Sequence, residues 1–288
     1  MKQNLAIFSI AVLGLLAGCS DNAGYKATKS GVRYKIVEKG SGPAIKYGDF
    51  IKFHTSEIIG DTLLSTPSVL PGYMKVDSVG DLYNPIAVLG KLSKGDSCNI
   101  VLELDSLIKD PNMFPPFAKP GDKYFVNIRV LDILADEEAV NTDREMLSME
   151  LQEKEDQELV AFLQSQNIDA QKTEGGSYYV ITEKGNGPAA ADGKKITINY
   201  TGKTLDGTVF DSNVDPSFNH PTPFTFEMGS GMVVRGWDET LRNFKKGDKG
   251  ILYIPSKQGY GAYPPPGSPF KGFQTLMFEV EVLDVTDK

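Results

Sequence analysis

A chain of 288 residues, 40% hydrophobic and with 29 Gly and 17 Pro, is long enough for two medium domains that each bury a core. One Trp and two His against twelve Tyr and fifteen Phe argue against a histidine-based or metal-rich enzyme, and a net charge of −8 argues against nucleic acid as a partner. No cofactor and no metal are expected.

Residues 1 to 19, MKQNLAIFSIAVLGLLAGC, open with Lys2 and continue as an apolar run from Leu5 to Leu16. That run is short for a membrane span and suits the core of a signal peptide. Its ending, Leu16-Ala17-Gly18-Cys19, resembles the lipobox of bacterial lipoproteins. The resemblance implies that residues 1–18 are removed and that Cys19 becomes a lipidated N-terminus. Its acyl chains would anchor the protein, each buried methylene contributing roughly 0.8 kcal/mol. An ordinary secretory signal that ends in Cys is the blander alternative, but all four lipobox positions match. Ser20, rather than Asp, after Cys19 implies the outer membrane, hence a lipid-anchored protein of the cell envelope facing the periplasm. Residues 19–29 then form a tether. With Cys19 lipidated, Cys98 has no disulfide partner; in the strand-like CNIVLEL it reads as a small buried hydrophobe.

The chain then repeats itself. SGVRYKIVEKGSGPA from Ser30 matches GGSYYVITEKGNGPA from Gly175, and LSKGDSCNIVLEL from Leu92 matches FKKGDKGILYIPS from Phe244. YFVNIRVLDIL from Tyr124 likewise matches LMFEVEVLDVT from Leu276. A nearly constant offset over a long span means a duplicated domain rather than a short-period solenoid. Each copy reads as alternating or β-branched strands broken by Gly, Pro and Asp, with one short helix. The fold class is therefore α+β: two domains, each an antiparallel sheet wrapped on a short α-helix. They are placed at residues 30–135 and 171–288.

Between them, residues 136–170 hold the acidity. Residues 136–158 contain ten acids and two bases, and that stretch alone carries the whole net charge of −8. Leu147, Leu151, Leu159 and Leu163 lie at multiples of four, with Glu155 interrupting the stripe. This predicts a solvated acidic helix with a narrow apolar seam. A spacer is the simpler role; a homodimer through the seam is the sharper one.

In the second copy, WDETLRNF places Trp237, Leu241 and Phe244 on one face of a short helix. In order, YTG from Tyr200, DGTVFDS from Asp206, PFTF from Pro223, VVRGW from Val233, KKGD from Lys245 and YG at Tyr260 closely resemble the FKBP-type peptidyl-prolyl cis-trans isomerases. The resemblance covers roughly residues 176–286. It implies an apolar pocket that receives a proline ring, with Trp237 as its floor. Matched motif by motif, it implies Tyr200, Phe210, Asp211, Trp237, Tyr260 and Phe278 as catalytic residues. It implies Phe224, Val233, Val234 and Phe270 as substrate-binding ones. The Val234 N–H would hold a substrate carbonyl. The partners implied are proline-containing unfolded or partly folded polypeptides.

The chain departs from the family pattern in places. The segment DSNVDPSFNHPTP from Asp211 is longer than usual, and GAYPPPGSPFKGFQT follows Tyr260, with Phe270 where the family has isoleucine. DSNVD also resembles the start of a calcium loop, but Pro216 and Thr222 stand where Gly and Glu are needed. Gly229, Gly231 and Gly236 lack nucleotide-loop spacing, and His220 reads as an exposed loop residue.

The first copy keeps the strand signals but changes the pocket positions. His54, Leu64 and Ser65 stand where the second copy has Tyr200, Phe210 and Asp211, and DLYNPIA brings Leu82 and Pro85 to the tryptophan region. A degenerate domain without isomerase activity is expected. A chaperone that holds polypeptide without turnover is the competing function for the whole chain. A structural envelope lipoprotein has little beyond the anchor in its favour.

Overall fold

The computed structural model describes residues 24–65, 68–77, 83–265 and 267–287. The signal segment, Cys19 and Leu82 lie outside the described residues. Among the described residues the first half and its connection hold β1 (Lys26–Ala27), β2 (Arg33–Glu38), β3 (Phe50–Ile59), β4 (Thr62–Ser65), β5 (Gly72–Lys75), a 3-10 helix (Pro85–Lys91), β6 (Ser97–Glu103), α1 (Leu104–Leu107), a 3-10 turn (Pro111–Met113), β7 (Lys123–Leu134) and α2 (Glu137–Ser165), and the second half opens with β8 (Gln171–Lys172) and β9 (Tyr178–Glu183). The remainder comprises β10 (Lys195–Thr204), β11 (Val209–Ser212), β12 (Phe224–Glu227), α3 (Arg235–Leu241), β13 (Lys249–Ile254) and β14 (Leu276–Thr286), with 3-10 turns at Pro216–Phe218 and Ser256–Gln258.

The duplication is visible as topology. One seven-stranded sheet runs β1-β2-β6-β7-β3-β4 with β5 on β3; the other runs β8-β9-β13-β14-β10-β11 with β12 on β10. The expected α+β class holds, as two similar sheet domains joined by the acidic helix.

The repeated motifs do the same job in both halves. In each Lys-Gly-Asp the aspartate is buried and accepts two backbone N–H bonds. Asp96 takes them from Gly40 at 2.7 Å and Ser93 at 2.8 Å; Asp248 takes them from Gly185 at 2.6 Å and Lys245 at 2.7 Å. The glycine of Glu-Lys-Gly is required by close approach. A Cβ at Gly40 would stand 2.2 Å from the Lys94 carbonyl oxygen, and one at Gly185 would stand 2.3 Å from that of Lys246. Burial opposes charge on Asp96, but the Lys39 ammonium at 2.9 Å and the two N–H donors together hold its carboxyl below the ordinary range.

In the second sheet the strand period of two sorts side chains onto two faces. Tyr179, Leu252, Ile254, Phe278, Val280 and Val282 share a core with Trp237, Leu241 and Phe244 of the α3 region, so the expected short helix buries the expected face. Tyr178, Val180, Ile251, Tyr253 and Met277 belong instead to a core with Leu159, Phe162 and Leu163 of α2. The sheet is thus packed on both faces, and α2 is more than the solvated spacer expected from sequence. That part of its seam is occupied by its own domain and is not free for a second copy. Glu155 continues the buried stripe one turn earlier instead of interrupting it, being 4% exposed. The helix starts where Asp136 accepts the Ala139 N–H at 2.8 Å, with Glu137 and Glu138 in the favourable first turn.

The first half differs where the short helix should be. Pro85 opens a 3-10 helix, capped by the Asn84 side chain, in place of a regular α-helical turn. The described part of this sheet buries Cys98 in β6, with burial pushing its thiol up to about 12, so it is an inert hydrophobe as expected.

Candidate functional site

The concave face of the second sheet and the residues before α3 enclose a cleft of about 420 Å³. β10 supplies Tyr200, β11 Phe210 and Asp211, β12 Phe224 and β14 Phe278; Gly231, Met232, Val233 and Val234 come from the turn into α3, and Tyr260 from the loop after β13. Trp237, 5% exposed, closes the bottom. Edge-to-face contacts hold its indole against Tyr200 at 5.3 Å, Phe278 at 5.2 Å and Phe224 at 6.4 Å, and a tilted contact joins it to Phe226 at 6.0 Å. Among the described residues its Nε1 is buried without a partner. A donor left unpaired in an aromatic cup is available to whatever fills the cup.

The glycine of Tyr-Thr-Gly is explained by this packing. A Cβ on Gly202 would stand 2.6 Å from the Phe210 ring and 3.1 Å from that of Phe278. These two rings meet edge to face at 5.7 Å directly above it.

The polar side of the cleft is a short chain of hydrogen bonds. The Tyr200 hydroxyl donates to Asp211 Oδ2 at 2.7 Å, and His220 Nε2 donates to Asp211 Oδ1 at 2.8 Å. Burial first, and then the bond to Asp211, push the Tyr200 phenol well above its ordinary range. Burial and the Asp211 charge also raise Tyr260. Both phenols therefore remain protonated donors through neutral pH. Asn213 fixes the start of the long β11–β12 loop: its Oδ1 accepts the Tyr200 N–H at 2.7 Å, and its Nδ2 donates to the carbonyls of Ile198 and Thr222, each at 3.0 Å.

Nine of the ten residues expected from the motifs line the cleft. Phe270 does not; it packs behind, against Phe210 at 4.9 Å and Tyr260 at 5.2 Å. His220 is exposed, as expected, yet joined to the site through Asp211. Sequence reasoning passed over Met232, which is 61% exposed on the cleft rim, and Asn213. Asn213 directly follows Phe-Asp-Ser, and a polar residue abutting a motif strand is a usable signal. His220 offered none, because the reach of a long loop is not written in residue types. No cluster of three or more His, Cys, Asp or Glu able to hold a metal occurs among the described residues.

Comparison with known proteins meets this geometry at the same residues. Residues 187–283 match the family described as FKBP-type peptidyl-prolyl cis-trans isomerase. The FK506-binding protein of Neisseria meningitidis serogroup B is 42% identical over 111 residues, 38% of this chain and 97% of the relative. Peptidyl-prolyl cis-trans isomerase FKBP15-2 of Arabidopsis thaliana is 45% identical over 100 residues, 34% of this chain and 58% of the relative. Among solved structures, FkpA from Escherichia coli matches 53% of this chain and 74% of its own at 25% identity, with a TM-score of 0.39. Since this chain spans nearly the full length of the meningococcal relative, it belongs to the FKBP-type peptidyl-prolyl cis-trans isomerase family.

Proposed function

We propose that residues 171–288 catalyse cis-trans isomerisation of Xaa-Pro bonds in polypeptides folding in the cell envelope. The Leu16-Ala17-Gly18-Cys19 signal supports a lipid anchor at Cys19, and the serine after it supports the outer membrane, on its periplasmic side. The observation that carries the isomerase reading is the aromatic cup floored by Trp237.

The chemistry asks for little more than that cup. Amide resonance imposes a barrier of roughly 18–20 kcal/mol. In the twisted transition state resonance is lost, and the carbonyl of the residue before proline is less polarised than in the planar amide. A dry aromatic surround disfavours the planar dipole relative to the twisted form. Trp237 receives the proline ring, with Tyr200, Phe224 and Phe278 as walls. The Val234 N–H, on an extended residue at the entrance of α3 (φ −63, ψ 148), holds a flanking carbonyl. Tyr260 offers a second donor, and Asp211 orients Tyr200. No nucleophile, metal or proton relay enters the scheme.

We assign residues 30–135 to a degenerate copy that retains the sheet without the pocket. His54, Leu64 and Ser65 at the pocket positions, and Pro85 in the helix region, support that assignment. A polypeptide-holding chaperone is the second reading, favoured by the exposed Met232 beside the cleft: a flexible thioether on a rim suits promiscuous apolar contact.

The test is the isomerisation rate of a short Xaa-Pro peptide with the full chain, beside Phe210→Ala and Asp211→Ala. Acceleration that falls in both variants supports the enzyme. A folded protein without acceleration, but able to suppress aggregation of an unfolded client, transfers the assignment to the chaperone.

A further inference from the structure

The cleft wall from the β13–β14 connection is a long loop. It leaves the sheet at Ser256, passes Tyr260 and Phe270, and returns at Thr275. A loop of this length orders its own middle poorly unless its ends are pinned. The structure shows both ends pinned by one side chain from a different element. Glu155 of α2 accepts the Ser256 N–H at 2.7 Å through Oε1 and the Ser256 hydroxyl through Oε2. Its Oε1 also accepts the Thr275 hydroxyl at 3.0 Å. All three residues are buried.

From Glu155 the pinning runs inward. The Gly261 N–H donates to the Ser256 carbonyl at 2.8 Å, and the Phe273 N–H donates to the Gly261 carbonyl at 3.1 Å. Gln258 Nε2 reaches the Gly175 carbonyl at 2.8 Å. Tyr260 therefore stands beside a residue tied, through one carbonyl, to the α2 carboxylate.

This arrangement is a poor device for stability alone. Among the described residues Glu155 has no cation partner: its neighbour Asp156 and Lys257, next to Ser256, pair with each other at 3.4 Å in exposed positions. A buried carboxylate without a counter-charge is costly, and an apolar side chain would pack the α2 seam more favourably. What the carboxylate supplies is geometry, since its two oxygens bring together groups nineteen residues apart in sequence.

We infer that Glu155 is a positioning residue for the cleft: from the helix that joins the two domains, it sets the loop that carries Tyr260. The helix is then part of the working site. The rate consequence rests on the isomerase reading above; the loop consequence does not.

The experiment uses the full chain and four variants, Glu155→Leu, Glu155→Gln, Thr275→Val and Leu159→Ala. Amide hydrogen exchange across residues 256–275 and kcat/KM for an Xaa-Pro peptide are measured below every midpoint of unfolding. Glu155→Leu and Thr275→Val should both speed loop exchange, and Glu155→Leu should lower kcat/KM by about ten- to a hundredfold, the upper figure being that of a site group misplaced by about 1 Å. Glu155→Gln keeps an acceptor for the Ser256 N–H and should restore most of both. Leu159→Ala loosens the seam and lowers Tm, but should leave loop exchange and rate as they were. The inference is overturned if loop exchange in Glu155→Leu and Thr275→Val matches the parent. It is equally overturned if Leu159→Ala speeds loop exchange as much as they do, because the helix would then act as plain packing. If Glu155→Leu does not fold, Thr275→Val decides the matter from the loop side. A parent chain without isomerase activity sinks the enzyme reading, while the exchange data still judge the positioning.

Discussion

Asp211 uses both carboxylate oxygens, one for Tyr200 and one for His220. The two bonds differ in worth. The Tyr200 bond is part-buried in the cleft wall, and a hydrogen bond to a charged group is worth about 1.5–3 kcal/mol. Asp211→Ala should therefore lower kcat/KM by about ten- to a hundredfold, with Tm lowered by several degrees and an unchanged circular dichroism spectrum. The His220 bond is exposed on both sides, and such contacts are worth about 0.2–1 kcal/mol. His220→Ala should change the rate by no more than about fivefold, and His220→Gln, which can still donate, should recover most of it. A loss from His220→Ala as large as that from Asp211→Ala would show that the long loop governs the site more directly than this geometry allows.

At the scale of elements, α2 carries the sharpest expectations. Leu159 is fully buried against the outer face of the second sheet. Truncating such a leucine costs about 2–5 kcal/mol, so Leu159→Ala should lower the urea midpoint of the second domain. A mere spacer would tolerate the change with no measurable shift. Glu155 adds a pH signature. Burial, the largest influence, raises its carboxyl above 4.5, outweighing the bonds from Ser256 and Thr275. The folded state thus binds the proton more tightly than the unfolded state, so the contribution is present below 4.5 and is lost as pH rises through the raised value. Glu155→Gln should accordingly gain stability on its parent as pH rises from about 4 toward neutrality. Chemical denaturation at a series of pH values checks this; a constant difference would mean that Glu155 stays in the same protonation state in both forms. The strands were legible from their alternation, and the duplicated plan because Glu-Lys-Gly and Lys-Gly-Asp mark in both copies a close approach that few residues permit; Arg-Gly-Trp marks one in the second copy alone. The fate of the linker was less legible. A glutamate in an apolar stripe reads as an interruption until its partners are known, and Ser256 and Thr275 lie a hundred or more residues away. Phe270 misled for a similar reason: motif order places it at the pocket but does not say which side of Phe210 it occupies.

The whole molecule combines one sheet that has a furnished cleft with another of the same strand order whose corresponding positions are furnished differently. If the first half is degenerate as proposed, a full chain carrying Phe210→Ala and Asp211→Ala together should retain no acceleration above the uncatalysed peptide. A residual rate that adding Trp237→Ala does not remove would locate a second site in residues 30–135. If Cys19 is the anchor, Cys19→Ala should move the protein from the membrane fraction to the soluble fraction without altering the peptide rate; persistence in the membrane fraction would point to a different mode of attachment.

The indole at the bottom of the cleft is the sole tryptophan of the chain. Light absorbed at the red edge of the aromatic band is therefore emitted from one known place. Packed among rings and with its N–H unpartnered among the described residues, this fluorophore should emit at short wavelength. Any guest that brings an acceptor to that N–H, or a proline ring to its face, must change the colour or brightness of the emission. The protein thus carries an internal reporter of its own occupancy, and clients can be ranked by titration without attaching a dye.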